Sequence, residues 1–378
     1  MASVAGLIFS NIHDRNVPEL TQKRSMASVP FAGRYRLVDF ALSNMVNANI
    51  YKVGIITHYN YQSLVDHVGA GKDWDLARST GGLKILPPQI TTYDNRGGKT
   101  TFSSRLEALM NAYNFVSKGT EEYIVLSDCD IVCNIDLKDV VTKHVESGAD
   151  ITMVTKNVYM NSEMAQNCTV VESDESGRVT NLVDNPAYID GNIDVCLNIF
   201  VLRREYLHSI IIDSLSKGYK SFTKDVIAAN KDTMKFMKYE YQGYFATINN
   251  LEGYFKSNMD VLRPEVRYCL FGDKKRPVYT KVKNSAPAKY AEGAKVKNSL
   301  IADGCVIEGV VENSILFRGV HVGKGSVIKN CIVMQDSVVG KDVSLNCVVA
   351  DKNVVIKDGR VLSGHETHPF SISKGTTI

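Results

Sequence analysis

The last quarter of the chain carries a repeat. Asn298-Ser-Leu-Ile, Asn313-Ser-Ile-Leu, Asn330-Cys-Ile-Val and Asn346-Cys-Val-Val recur at spacings of 15, 17 and 16 residues. Between them lie Gly304-Cys-Val-Ile, Gly323-Lys-Gly-Ser-Val-Ile and Gly340-Lys-Asp-Val. Paired β-branched residues separated by Gly, Asn or Asp suit very short strands joined by tight corners. Such periodicity marks a solenoid, in which each coil buries its apolar residues against the next. The small residues Ser299, Ser314, Cys331 and Cys347 are expected to stack from coil to coil, where large rings do not fit. The aromatics agree: of 32 Phe, Tyr and Trp, 30 lie at or before Tyr290, and only Phe317 and Phe370 follow.

In irregular form the pattern resembles the left-handed β-helix built of hexapeptide-type repeats, with about four or five coils on the solenoid argument. An antiparallel sandwich of similar composition is the alternative, disfavoured because four aligned Asn-small-apolar-apolar blocks rarely arise by chance. The change in composition predicts two domains with different packing, 1–275 and 291–378, joined by a linker over 276–290.

The first domain alternates apolar strand-like runs with amphipathic stretches. Val53–Thr57, Tyr123–Leu126, Ala149–Thr155 and Cys196–Leu202 read as strands, and Tyr61–Val68 as a helix. Strands interleaved with helices predict an α/β fold with a mostly parallel, Rossmann-like sheet covered on both faces. Asp128 and Asp130 follow a strand's C-terminal end, where such sheets bind ligands. A phosphate-binding turn after the first strand needs glycine, so that backbone N–H groups can approach the phosphates. The residues there, Ser10-Asn-Ile-His-Asp-Arg-Asn16, include none. Further on, Lys23, Arg24, Arg34 and Arg36 form a basic cluster that reads either as an anion site or as ordinary solvated surface.

Charge and cysteine usage exclude several classes. With 44 Lys+Arg against 41 Asp+Glu and a net charge of +3, bulk charge does not draw the chain to nucleic acid. No run approaches the roughly 18 apolar residues that span a bilayer, and the N-terminus lacks a basic n-region. The eight cysteines include no C-x-x-C pair; they read as buried free thiols in a reduced, cytoplasmic protein.

Several segments resemble the ADP-glucose pyrophosphorylases (glucose-1-phosphate adenylyltransferases). They are Val29-Pro-Phe-Ala-Gly-Arg-Tyr-Arg-Leu-Val-Asp-Phe-Ala-Leu-Ser-Asn44, Trp74–Gly82, Leu86-Pro-Pro-Gln89, Ser221-Phe-Thr-Lys-Asp225 and Leu251–Asn258. The resemblance runs from residue 1 to about 365 and includes the tail. It implies a nucleotidyltransferase-like α/β domain joined to a left-handed β-helix and a place in bacterial glycogen synthesis. Catalytic members make ADP-glucose and pyrophosphate from ATP and glucose 1-phosphate by metal-assisted phosphoryl transfer, which rests on cations and metal-holding carboxylates.

Compared position by position, this chain departs from that chemistry. The family's glycine-rich loop corresponds to Asn11–Val17, its arginine aligning with Asn16, and a following lysine aligns with Met26. The family's GTADAV segment has become Ser104-Arg-Leu-Glu-Ala-Leu109, bulky where a nucleotide sits. On the sugar-phosphate side Gln89, Asp184, Asn185 and Asp225 remain as pocket remnants, Asn185 replacing a lysine. Of the two metal aspartates one aligns with Asp130 (or, in another register, Cys129) and the other with Thr247. No intact catalytic set and no metal or cofactor are expected for this chain; Mg²⁺ belongs to a catalytic partner. Lys23, Arg24 and Arg36 keep the family's effector-binding cations, to which Arg318 and His321 can add.

The resemblance therefore implies a regulatory, non-catalytic subunit. Its expected partners are a catalytic glucose-1-phosphate adenylyltransferase subunit, in a hetero- or homotetramer, and an anionic sugar-phosphate-type effector. Neither nucleic acid nor membrane is expected. A catalytically active sugar-1-phosphate nucleotidyltransferase using Asp130 is the alternative. A hexapeptide acyltransferase relying on His321 is a third reading, which leaves the large first domain unexplained. His365 and His368 read as solvated loop residues.

Overall fold

The computed structural model describes residues 2–88, 104–161 and 168–378. Eleven strands of the first domain position the site: β1 (Val4–Phe9), β2 (Lys52–Ile56), β3 (Gly82–Leu86), β4 (Tyr123–Asp128), β5 (Ile131–Cys133), β6 (Ile151–Asn161), β7 (Thr169–Ser173), β8 (Val179–Asp184), β9 (Asp190–Arg203), β10 (Phe236–Glu240) and β11 (Phe245–Thr247). Helices α1 (Leu37–Asn47), α2 (Gln62–Val68), α3 (Arg105–Asn111), α4 (Leu137–Ser147), α5 (Arg204–Lys217), α6 (Leu251–Asp260) and α7 (Pro264–Phe271) pack around them.

The sheet is parallel through β4-β1-β2-β3, as the apolar runs buried on both faces predict. Beyond β4 the long β9 runs antiparallel and pairs with β4, β6 and β7 in turn, so that β7, β8 and the outer half of β9 form an arm beside the strand ends. α1, α2 and α4 bury Leu42, Met45, Leu64 and Val140 on one face of the sheet. On the other, α3 and α5 bury Leu106, Leu109, Leu207 and Ile211. Gly6 permits the closeness of α1, since a Cβ there would lie 2.2 Å from Met45 Sδ.

The tail is a three-sided parallel β-helix of five coils, each side a five-stranded parallel sheet. Its first strand, Lys289–Tyr290, lies at the end of the segment expected as linker. Asn298, Asn313 and Asn330 turn the corners with φ of 43°, 45° and 50°, a conformation asparagine tolerates better than most residues. In the next coil the corner falls on Cys347, φ 50°, not on Asn346. The pairing Ile332 with Val349 makes Cys347 the counterpart of Asn330. The expected small-residue stack therefore holds for three coils: Ser314 N donates to Ser299 Oγ (3.1 Å), and Cys331 N to Ser314 Oγ (3.0 Å). It does not extend to Cys347.

One side of the β-helix faces the first domain. Leu316, Val333 and Ala350 fill the helix interior. Ile315, Ile332 and Val349 join Phe31, Phe40, Tyr254 and the fully buried Phe317 in a shared apolar cluster. At about 1.5–3 kcal/mol per large side chain, this cluster holds the two domains as one packed unit. No helix among the described residues is long and apolar enough to cross a membrane.

Candidate active site

Parallel pairing brings the C-terminal ends of β1 and β4 together, Phe9 opposite Asp128. The glycine-free loop after β1 folds about its own aspartate. Asp14 is buried and accepts from Met26 N (2.6 Å) and Asn11 Nδ2 (2.7 Å). Burial pushes the Asp14 carboxyl up to about 7. The loop thus spends Asn11 and Asp14 on holding its own shape and turns His13 over the ends of β1 and β4.

There His13 Nε2 lies 2.9 Å from Asp128 Oδ2 and 3.6 Å from Asp130 Oδ2. Arg105, first residue of α3 behind the N-cap Ser104, donates from Nη2 to Asp128 Oδ2 at 2.6 Å. Its guanidinium sits over the rings of Phe9 and Phe200, 5.7 and 5.3 Å from their centroids. Burial favours neutral His13, but Asp130 and Asp128 outweigh it and lift its pKa to about 9. Burial also raises Asp130 to about 6, against the pull of His13. For Asp128 burial is overcome by Arg105 and His13, which hold its carboxyl below the ordinary range. Two carboxylates and two cations thus form a closed, charge-balanced quartet at the strand ends.

The expected vestigial pair is brought together. Ile248 N donates to Asp130 O (2.8 Å), and Thr247 pairs with Ile131 across β11 and β5. Cys129 is packed in the apolar core. One oxygen, Asp130 Oδ1, is buried without a hydrogen-bond partner. The donor atoms of His13, Asp128 and Asp130 lie within 4.8 Å of one another, yet the set does not fit Mg²⁺. That ion demands octahedral oxygen ligands, whereas a ring nitrogen and a guanidinium already engage the carboxylates and a threonine stands where a second metal aspartate belongs. The quartet needs no further positive charge.

Beside it opens a cleft of about 250 Å³ whose lining includes His13, Asn16, Arg105, Asp184, Asn185 and Thr247. Thr169 Oγ1 donates to Asp184 Oδ1 (2.7 Å), and Asn185 takes a left-handed turn, φ 51°. Asp225 does not line this cleft. Within the π-helical segment Phe222–Ala228, whose cap is Ser221, its carboxylate reaches back to accept from Ser221 N (2.9 Å) and Lys220 N (2.8 Å), which lower its pKa. Gln89 lies outside the described residues. His13 and Arg105, which carry the site's electrostatics with Asp128, are not among the candidates read from sequence, whereas Asp128 is read there only as an acid at a strand end. The acid closing the strand at Asp128 was the only local signal.

The effector-type cations meet at the domain boundary. Arg24 is buried and donates from Nη2 to both oxygens of Asp351, 2.7 and 2.5 Å away. Arg36 Nη1 donates to Ser63 O (2.5 Å) and Oγ (3.0 Å), and exposed Lys23 Nζ reaches Lys374 O (3.5 Å). Burial first, then Arg36 and Arg24, push the Lys352 ammonium down to about 6. Arg318 is 7% exposed, its Nε has no hydrogen-bond partner, and Asp303 Oδ2 lies 3.7 Å off. Exposed His321 faces Glu308 at 3.6 Å, while the His365 and His368 rings both contact Thr367 Oγ1 in an exposed loop.

Residues 16–263 match the nucleotidyl transferase family, and 285–369 the GlmU-like C-terminal hexapeptide family. The chain is 37% identical over 372 residues to the glycogen biosynthesis protein GlgD of Bacillus subtilis (strain 168), covering 98% of this chain and 95% of that one. It is 31% identical over 369 residues to the glucose-1-phosphate adenylyltransferase of Fervidobacterium nodosum, covering 97% and 87%. The enzyme of the same name from Bacillus mycoides is also 31% identical, over 348 residues covering 91% and 90%. With both domains matched and the similarity running end to end, the chain belongs to the nucleotidyl transferase family, in the group of GlgD and the glucose-1-phosphate adenylyltransferases.

Proposed function

We propose that this chain is a regulatory subunit of bacterial glucose-1-phosphate adenylyltransferase in glycogen synthesis, with little or no turnover of its own. The observation that carries the reading is the quartet. His13 sits against Asp130, where a catalytic metal would be held, Arg105 and His13 are both engaged by Asp128, and the loop after β1 has no glycine to cradle a nucleotide's phosphates. Each lost transition-state contact of this kind costs several kcal/mol, and 1.4 kcal/mol is a factor of ten in rate. The shared apolar cluster meanwhile keeps the scaffold intact, as a subunit that works by assembly requires. The Mg²⁺ and the chemistry belong to a catalytic homologue paired with this chain in a cytoplasmic tetramer, for which the coil ends and edges of the β-helix offer contact surface.

An anionic, sugar-phosphate-type effector is the second half of the reading. Arg24 is committed to Asp351, so the cations that remain for such a ligand at the domain boundary are Lys23, Arg36 and the hydrogen-bond-poor Arg318. ADP-glucose formation with Mg²⁺, measured for this chain alone, the catalytic homologue alone and the mixture, tests the whole. The expected result is no turnover alone and a changed rate or effector response in the mixture. Clear activity alone, or an unaltered partner, overturns it.

A further inference from the structure

The cleft beside the quartet has a chemistry of its own. Asn16, Asn185 and Asn198 line it together with Thr169, Thr247 and Asp184. None of the three amide side chains makes a hydrogen bond among the described residues. Asn198 sits in β9 where the register shifts between Cys196 and Phe200, and its φ is 53°. A bulge of this kind re-aims a side chain. Phe200 packs into the apolar cluster on that face and Cys196 belongs to both that cluster and the cleft wall, whereas the polar Asn198 lines the cleft. Asn185 reaches the same cleft from the opposite strand pair with the same left-handed backbone.

Each amide offers two N–H donors and one acceptor, and each threonine hydroxyl both donates and accepts. The cations in the wall, Arg105 and His13, are held by Asp128 and Asp130, so none is left to neutralise a phosphate. Mixed donors and acceptors without spare positive charge complement hydroxyl groups. We propose that this cleft binds an uncharged polyhydroxylated ligand, a monosaccharide or the glycosyl end of a glucan, and rejects its phosphorylated form. The proposal rests on the reading above, in which phosphoryl-transfer chemistry has left the site.

Saturation-transfer NMR on the full chain tests it, with D-glucose, glucose 1-phosphate and ATP as probes, each with and without Mg²⁺. Asn198→Gly removes the amide and keeps the left-handed backbone, and Asn16→Ala gives a second variant outside the bulge. The expected result is saturable glucose binding, weaker by roughly tenfold in either variant at unchanged melting temperature, a loss on the scale of one hydrogen-bonding group. No saturable glucose response, a response in both variants equal to that of the wild type, or tighter binding of glucose 1-phosphate than of glucose overturns the proposal. The same preparations are assayed for ADP-glucose formation alone and with a catalytic homologue. Failure to bind glucose with the partner still modulated sinks only this proposal, whereas turnover by the chain alone sinks the regulatory reading.

Discussion

Replacing Arg105 with methionine keeps the side chain's reach and apolar contacts but removes its charge. Asp130, lifted from an ordinary 3.8 to about 6, carries a penalty of roughly 3 kcal/mol at neutral pH. His13, lifted from 6.5 to about 9, returns roughly 3 kcal/mol. The two shifts are opposite faces of one His13–Asp130 attraction, and at the fully buried Asp128 it is Arg105, ahead of His13, that opposes the cost of burial. Deleting one partner of such a buried pair costs about 3–5 kcal/mol. At about 2–4 °C per kcal/mol for a unit of this size, the melting temperature should fall by roughly 6–20 °C near neutral pH. Asp128 has a depressed folded-state pKa, so its contribution in the wild type is present above the ordinary carboxylate range and lost below it. In Arg105→Met the carboxyl pKa rises instead, and the variant is penalised most at high pH. The gap from wild type should therefore shrink between about pH 8 and about pH 5. Freed of the guanidinium, the two carboxylates with His13 can take a divalent transition-metal ion, so millimolar Mn²⁺ should raise the variant's melting temperature and leave the wild type's unchanged. A gap below about 2 °C, or one constant across that pH range, would refute the reasoning.

Two further perturbations probe the domain boundary. Lys352 has a folded-state pKa of about 6 against an ordinary 10.5, so the unfolded chain binds more protons between those values and stability rises with pH there. Lys352→Met should flatten that slope and raise the melting temperature at pH near 7, as a series of melts across pH would record. Phe317→Ala empties a fully buried position in the shared cluster and should cost about 3–5 kcal/mol. Limited proteolysis should then cut faster in 272–288, and an unchanged cleavage rate would mean that the cluster does not hold the domains together.

What was legible in the sequence follows from how far apart the interacting residues are. The solenoid repeats along one dimension, so its strands, its corners and the exclusion of rings from its stack could all be read. The slip at Cys347 could not, because Asn346 and Cys347 both suit a corner and only pairing across coils chooses between them. The parallel core strands were equally plain as apolar runs. The quartet was hidden: His13 is 115 residues from Asp128, and Arg105 is 23 residues away on a different element. They meet because β1 and β4 are neighbours in the sheet, a fact of topology and not of local pattern. Thr247 is reached only through the family resemblance, Asp130 also as an acid beyond a strand end, and Arg24 looks free because its partner Asp351 lies 327 residues downstream.

The two ionic clusters answer one electrostatic demand in different ways. A pair of carboxylates at the strand ends must be neutralised, and a catalytic relative can leave that to a divalent ion. Here Arg105 and His13 do it from within, so the fold stays satisfied while the place for an external cation disappears. At the domain boundary the balance is not closed. Asp351 answers Arg24, but Arg36 donates to a neutral serine, Lys352 is pushed toward its uncharged form by burial and then by Arg36 and Arg24, and Arg318 Nε makes no hydrogen bond, with Asp303 3.7 Å away. Arg36 and Arg24 add to burial in depressing Lys352, so positive charge gathered at this boundary favours an anion, whereas the quartet is charge-balanced. On the proposed reading, attraction for an external anion therefore falls to the seam between the domains, while the strand ends keep only the uncharged cleft.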